Sequence, residues 1–177
     1  MKEKIIGYDV IEFLAKSLAL RFRINNKEFT HVIGIARGGM IPATIISYML
    51  DARLLAYGVK SYENKKQGLL TIDQDIDFDS LDENSRLLVI DDVCDTGKTF
   101  EHIQEKIGNR FHTVRYASLF AKKATKDKVD HYSVLVDNST WIIFPWEVGV
   151  PQDIPTPGSA PTPDDVPIWE EWSKQSQ

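Results

Sequence analysis

Residues 89–99 read VIDDVCDTGKT: a buried-type apolar run, two adjacent acids at Asp91 and Asp92, a third at Asp95, and a TGKT turn able to open a helix. Each part suits a phosphorylated sugar. The backbone N–H groups of a glycine-containing turn at a helix start form an anion nest, and the helix dipole favours a phosphate there. Thr96 and Thr99 add hydroxyl donors beside Gly97 and Lys98. Asp91 and Asp92, at a strand tip, can accept hydrogen bonds from vicinal hydroxyls or hold magnesium through oxygen ligands. Two competing motifs fail on spacing: a Walker A loop would need Gly where Asp92 stands, and DDVCDT does not match the D-x-D-x-T of aspartyl phosphatases. Any one Asp here is better read as a helix-capping acid; the eleven-residue pattern as a whole is not.

Outward from this segment the chain alternates strands and helices. HVIGIA (31–36) is a β-branched run ending in Arg37, Gly38 and Gly39, followed by a helix near 41–50. RLLAYGV (53–59), LLVIDD (87–92) and TVRYASLF (113–120) read as further strands, with a helix near 100–107. Residues 8–23 form an amphipathic helix through Val10, Phe13, Leu14, Leu18 and Phe22. The pattern predicts an α/β fold, a mainly parallel twisted sheet flanked by helices. Ligands of such sheets bind at the carboxyl ends of strands, so function belongs in the loops after Ala36, Val59, Asp92 and Phe120.

Composition narrows the rest. The 177 residues are 42% apolar and 27% charged, enough for one sizeable core without metals or disulfides. One cysteine, Cys94, excludes an internal disulfide and a cysteine-based zinc site. His31, His102, His112 and His131 share no metal-ligand spacing and read as surface or helix-terminal residues. No stretch is long and apolar enough to span a bilayer, and acids at Glu3, Asp9 and Glu12 argue against a signal peptide, so the expected location is cytoplasmic. The net charge of −5 divides unevenly: residues 151–177 hold five acids against Lys174, leaving the body at −1. A near-neutral body lacks the basic stripe of a nucleic-acid binder. Six of the eight prolines also fall in 151–177. That segment reads as an extended acidic, Pro-rich C-terminal tail on a domain of residues 1–150, with Trp169 and Trp172 at helical spacing to dock on the body or on another subunit.

The combined motifs resemble the type I phosphoribosyltransferases, and within them the bacterial xanthine-guanine and hypoxanthine enzymes. VIDDVCDTGKT is similar to that family's signature for 5-phosphoribosyl 1-diphosphate (PRPP), ARGGMIP (36–42) to its diphosphate loop, and FAKKAT (120–125) and TWIIFPWEVG (140–149) to its purine-contacting segments. The resemblance covers roughly residues 5–150. It implies a small hood over the sheet, a homo-oligomer, and a non-proline cis peptide at Ala36–Arg37. It further implies that Thr96, Gly97, Lys98 and Thr99 hold the 5′-phosphate, Asp91 and Asp92 the ribose and Mg2+, and Arg37 with Gly38 the diphosphate. Lys122 would donate to a purine O6, Trp141 would stack on the base, and the backbone of Ile142 would read its N1/N2 edge. Physical chemistry agrees on two of these: an ammonium at a strand end can donate to a carbonyl oxygen, and an indole face suits stacking.

The expected reaction is transfer of 5-phosphoribose from PRPP to hypoxanthine, guanine or xanthine, giving the nucleoside monophosphate and diphosphate, a step of purine salvage. Asp95, between the ribose acids and the phosphate nest, is the expected general base or acceptor at N7. Two alternatives stand beside it: a phosphoribosyltransferase acting on a different nitrogenous acceptor, and a nucleotide-sensing regulatory protein of the same fold. The partners expected are small-molecule substrates, with no nucleic acid and no membrane span. Residues 61–76, SYENKKQGLLTIDQDI, have the polar composition of a lid over the site, or of a surface hairpin with LLTI as its return strand.

Overall fold

The computed structural model describes residues 2–25, 28–61 and 70–147. Within them the order is β1 (Lys2–Ile5), α1 (Tyr8–Ile24), β2 (His31–Ala36), α2 (Met40–Leu50), β3 (Arg53–Ser61), β4 (Leu70–Gln74), β5 (Arg86–Cys94), α3 (Lys98–Ile107), β6 (Thr113–Lys122), β7 (His131–Val136) and β8 (Thr140–Ile143). The chain divides after Trp146 into two units, and only Glu147 of the second is described. The expected boundary at residue 150, the tail with Trp169 and Trp172, and the lid tip at 62–67 lie outside the described residues.

The main sheet runs β4-β3-β2-β5-β6-β7, with β3, β2, β5, β6 and β7 parallel and β4 antiparallel at the edge. The two central strands carry apolar runs, 32–36 in β2 and 87–90 in β5, because both faces are covered. Alternation sorts the side chains. Val32, Leu88, Ile90 and Leu119 join α1 and α2 on one side, while Ile33, Ile35, Leu87 and Val89 join Phe100, Ile103 and Ile107 of α3 on the other. Chain order reverses between β2 and β5, which places the topological switch point, and its crevice, at their carboxyl ends.

A second, two-stranded parallel sheet pairs β1 with β8, Lys2 opposite Thr140 through Ile5 opposite Ile143. This is the hood. It joins the two ends of the described chain, and Phe144 ties it to the core by packing on Phe120 and stacking on Trp146 at 4.8 Å.

Two readings of the sequence change. The helix over 8–23 is present, but Val10 and Phe13, expected on its core face, are exposed; the buried face is Ile11, Leu14, Ala15, Leu18, Ala19 and Phe22. The helix has two apolar stripes, and the one with alanines at 15 and 19 lets it lie closer to its neighbours. His102 is neither surface-free nor terminal: it sits inside α3 with its ring 6.4 Å from the Tyr57 ring and Nε2 enclosed. The return strand of the hairpin reading exists as β4, with Leu70 opposite Ser61.

Candidate active site

The two central loops meet main chain to main chain. After β2 the chain turns through Arg37, Gly38 and Gly39 before α2, and the Ala36–Arg37 peptide is cis, as the resemblance implies. Gly39 lies so close to the β5 backbone that a Cβ there would sit 2.7 Å from the Ile35 and Ile90 carbonyl oxygens and 2.8 Å from Asp91 Cα. A Cβ on Gly38 would be 1.8 Å from Asp92 Oδ2. The diphosphate-loop candidate and the acidic pair thus share one crevice at the switch point.

β5 runs two residues past the expected strand, to Cys94, so Asp91 and Asp92 lie within it rather than at its tip. The Asp92 N–H donates to Asp91 Oδ1 at 2.9 Å, and the Val93 N–H donates to Asp92 Oδ1 at 2.7 Å. Burial, and then the adjacent Asp92 charge, push the Asp91 carboxyl well above the usual carboxylate range. Two acids held this closely form a site that a cation or a hydroxylated ligand would stabilise.

Past Cys94 the chain loops through Asp95, Thr96 and Gly97 into α3. Gly97 caps the helix at φ +77°, a left-handed value that an L side chain resists, and its carbonyl accepts from Glu101 N at 3.0 Å. The first turn of a ten-residue helix therefore opens with its N–H groups toward this loop. The Thr96 hydroxyl accepts from Lys98 N at 3.4 Å, while Asp95 and Lys98 are exposed.

Facing the loop across the sheet is Lys122, the last residue of β6. Read alone it would be a solvated surface charge, yet it is only 6% exposed. Its Nζ donates to the Thr140 carbonyl of the hood and lies 3.8 Å from Asp95 Oδ1. One buried ammonium therefore joins three pieces of the site. On β8 the carbonyls of Ser139 and Ile143 accept from Lys2 and Ile6 of the β1 side. Strand alternation turns those of Thr140 and Ile142 the opposite way, and the Thr140 carbonyl there accepts from Lys122. Trp141 is 49% exposed between the buried Thr140 and Ile142, so its indole presents a face to solvent. Gly38 thus meets Asp92 and Gly39 meets Asp91, Lys122 joins Asp95 to the hood strand that carries Trp141 and Ile142, Thr96, Gly97, Lys98 and Thr99 form the loop and first turn of α3, and Arg37 is exposed at the start of the loop after β2.

The sequence reading missed the brace beneath this arrangement. The Thr125 hydroxyl donates to the Cys94 carbonyl at 2.8 Å, and its N–H donates to Lys122 O at 3.0 Å. It therefore clamps the residue before Asp95 to the turn after Lys122. Lys128, three residues on, packs its stem where a Gly97 Cβ would go and pairs with Glu101 at 2.5 Å. A threonine ending FAKKAT was the available signal, but its partner is 31 residues away. Cys94 is buried, its thiol directed at the Thr125 carbonyl at 3.6 Å and pushed up by burial, which leaves it a packing residue.

Residues 4–153 match the family model of the phosphoribosyl transferase domain. The chain is 37% identical over 144 residues to a xanthine-guanine phosphoribosyltransferase of Desulfotalea psychrophila, covering 80% of this chain and 84% of the relative. It is 30% identical over 161 residues to the one of Cereibacter sphaeroides, covering 85% and 94%. Among solved structures, a purine phosphoribosyltransferase from Pyrococcus horikoshii superposes with a TM-score of 0.72 at 31% identity, over 83% of this chain and 95% of that one.

Proposed function

We infer the reaction from one premise: the chain belongs to the phosphoribosyl transferase family. It is a purine phosphoribosyltransferase, transferring 5-phosphoribose from PRPP to a 6-oxopurine in purine salvage. The observation that carries the choice of base is the buried Lys122 ammonium, aimed between Asp95 and the hood. A 6-oxo group accepts from it, whereas the amino group of adenine presents donors to an ammonium that can only donate.

Roles for individual residues follow. The N–H groups of Thr96 to Thr99, with the threonine hydroxyls, hold the 5′-phosphate at the mouth of α3. Asp91 and Asp92 accept from the ribose hydroxyls. Arg37 and the 37–39 loop bind diphosphate and stabilise the charge that develops as it leaves. Trp141 stacks on the purine, the Ile142 carbonyl accepts from its N1/N2 edge, and Asp95 receives the proton from the ring nitrogen. Lys122, its Nζ 3.8 Å from Asp95 Oδ1, donates to O6 from the same side of the purine.

Asp91 and Asp92 fit a magnesium ion that arrives with its diphosphate, since Mg2+ takes one or two carboxylates plus substrate oxygens, and a divalent charge would relieve the repulsion between the acids. No group of three His, Cys, Asp or Glu side chains among the described residues could hold a metal unaided. When bound, magnesium neutralises charge on the departing diphosphate. We also assign the chain a cytoplasmic setting and a homo-oligomeric state. No helix among the described residues is long and apolar enough to cross a membrane.

Diphosphate release measured side by side with hypoxanthine, guanine, xanthine, adenine, uracil and orotate tests the reading. Magnesium-dependent turnover of at least one 6-oxopurine, with adenine poor, is expected. Preference for uracil, orotate or adenine would move the acceptor elsewhere, and no release with any base would favour a binding role.

A further inference from the structure

The hydroxyl of Ser118 has no role in the fold. It lies within β6 at 0% exposure, and it has no hydrogen-bond partner among the described residues. Leaving a buried hydroxyl unpaired is unfavourable, and native proteins seldom do so without a use for the group. The register of the sheet points to one. β5 and β6 run parallel with Asp91 directly opposite Ser118. Residues so paired share a face of the sheet on strands about 4.8 Å apart. The pair two residues earlier shows which face: Val89 stands opposite Tyr116, and both pack with α3. Alternation carries Asp91 and Ser118 to the same side. Phe100 of α3 closes that side over Tyr116, their rings 6.2 Å apart. On its other flank Ser118 is in register with Tyr132, whose one polar side-chain atom lies at the far end of its ring. Asp91 is therefore the acceptor that the register sets beside the hydroxyl.

We propose that Ser118 is a positioning residue of the ribose site: its hydroxyl donates to the Asp91 carboxylate when that group turns to accept from the ribose. This rests on the reading that Asp91 and Asp92 take the ribose hydroxyls, and it adds the residue that aims one of them. An ionised carboxylate has about four acceptor sites. The Asp92 N–H fills one, on Oδ1 at 2.9 Å. Ribose hydroxyls take those that open to the crevice, and the one turned toward β6 is left for Ser118. A carboxylate held by one donor still swings about its last torsion; a second donor on the neighbouring strand fixes its plane. Ser118 also shares β6 with Lys122, four residues on. One strand thus sets the ribose acid and the base-reading ammonium relative to each other, the alignment that transfer between ribose and base needs.

Magnesium-free binding of GMP and of its 2′,3′-dideoxy analogue to the full-length chain isolates this role, because the two ligands differ only in the hydroxyls that the acidic pair receives. The wild type should bind GMP at least about tenfold more tightly than the analogue. Ser118→Ala should weaken GMP about fivefold and leave the analogue within about twofold. Its thermal transition should be no lower than that of the wild type, since the group removed had no partner in the free chain. Ser118→Cys fills the same space with a poor donor and should follow Ser118→Ala. A wild type that binds both ligands equally would overturn the ribose reading of Asp91 and Asp92, and this inference with it. A wild type that discriminates, beside a Ser118→Ala that discriminates equally well, would overturn this inference alone. An equal loss for both ligands with a lowered thermal transition would do the same, as the mark of a serine that only packs. Wild-type affinity for GMP in Ser118→Cys would assign the effect to volume and overturn it too.

Discussion

The crevice between β2 and β5 is built mostly of main chain, whereas the wall proposed to face the purine depends on two side chains held by different strands. On the donor side Gly39 lies against the β5 backbone and Gly97 presents the amides of α3. On the acceptor side Lys122 ends β6 and Trp141 sits on a short strand paired to the chain's first residues. Backbone amides bind any phosphate and tolerate little displacement. Side chains choose among bases and can be exchanged one at a time. Donor-side changes should therefore harm turnover of every base, and acceptor-side changes should alter the choice among them.

The largest expected effect is that of Gly39→Ala, because its clash is with backbone that cannot move aside. We expect a loss of about 3 kcal/mol in denaturant unfolding and of at least about 10²-fold in activity on all bases. Wild-type stability in this variant would mean the two loops are less tightly joined than the structure shows. Asp95→Asn should come next, with kcat lower by roughly 10²-fold and the KM for PRPP little changed. An unaltered rate would remove Asp95 from proton transfer.

Acceptor-side effects are smaller and selective. Lys122→Met keeps the volume but removes the donor, and should lower kcat/KM for 6-oxopurines by roughly 30-fold, about 2 kcal/mol, while narrowing the gap to adenine. An equal fall for adenine and hypoxanthine would return Lys122 to a structural role. Thr125→Val breaks the link from the base turn to Cys94, and we expect a several-fold drop in kcat that Thr125→Ser restores. An unchanged kcat in Thr125→Val would mean that this hydroxyl does not position the site.

The smallest effect concerns stability. Because the Asp91 carboxyl is raised in the folded chain, the native state holds a proton the unfolded chain has lost, and stability falls as pH rises from the usual carboxylate range toward the raised value. In the metal-free protein Asp91→Asn should melt a few degrees higher than wild type near pH 8, with the gap closing toward pH 4. A gap that widened on acidification would reverse the sign assigned to this pair.

The donor half was legible because its parts are consecutive. VIDDVCDTGKT carries strand, acids, turn and helix start within eleven residues, so local chemistry fixes both the element boundaries and the ligand class. The β-branched run HVIGIA likewise marked a strand, since a parallel sheet covered on both faces favours such runs. Three features needed the tertiary structure. Which stripe of α1 enters the core depended on how closely a helix with Ala15 and Ala19 can approach its neighbours, and periodicity alone placed Val10 and Phe13 on the wrong side. Lys122 became buried only when β8, paired with β1 from the other end of the described chain, brought the Thr140 carbonyl above it. The clamp from Thr125 to Cys94 spans 31 residues between neighbouring strands. Local sequence specifies local geometry and the chemistry it carries; a contact between distant segments exists only once the sheet order has set which strand ends are neighbours.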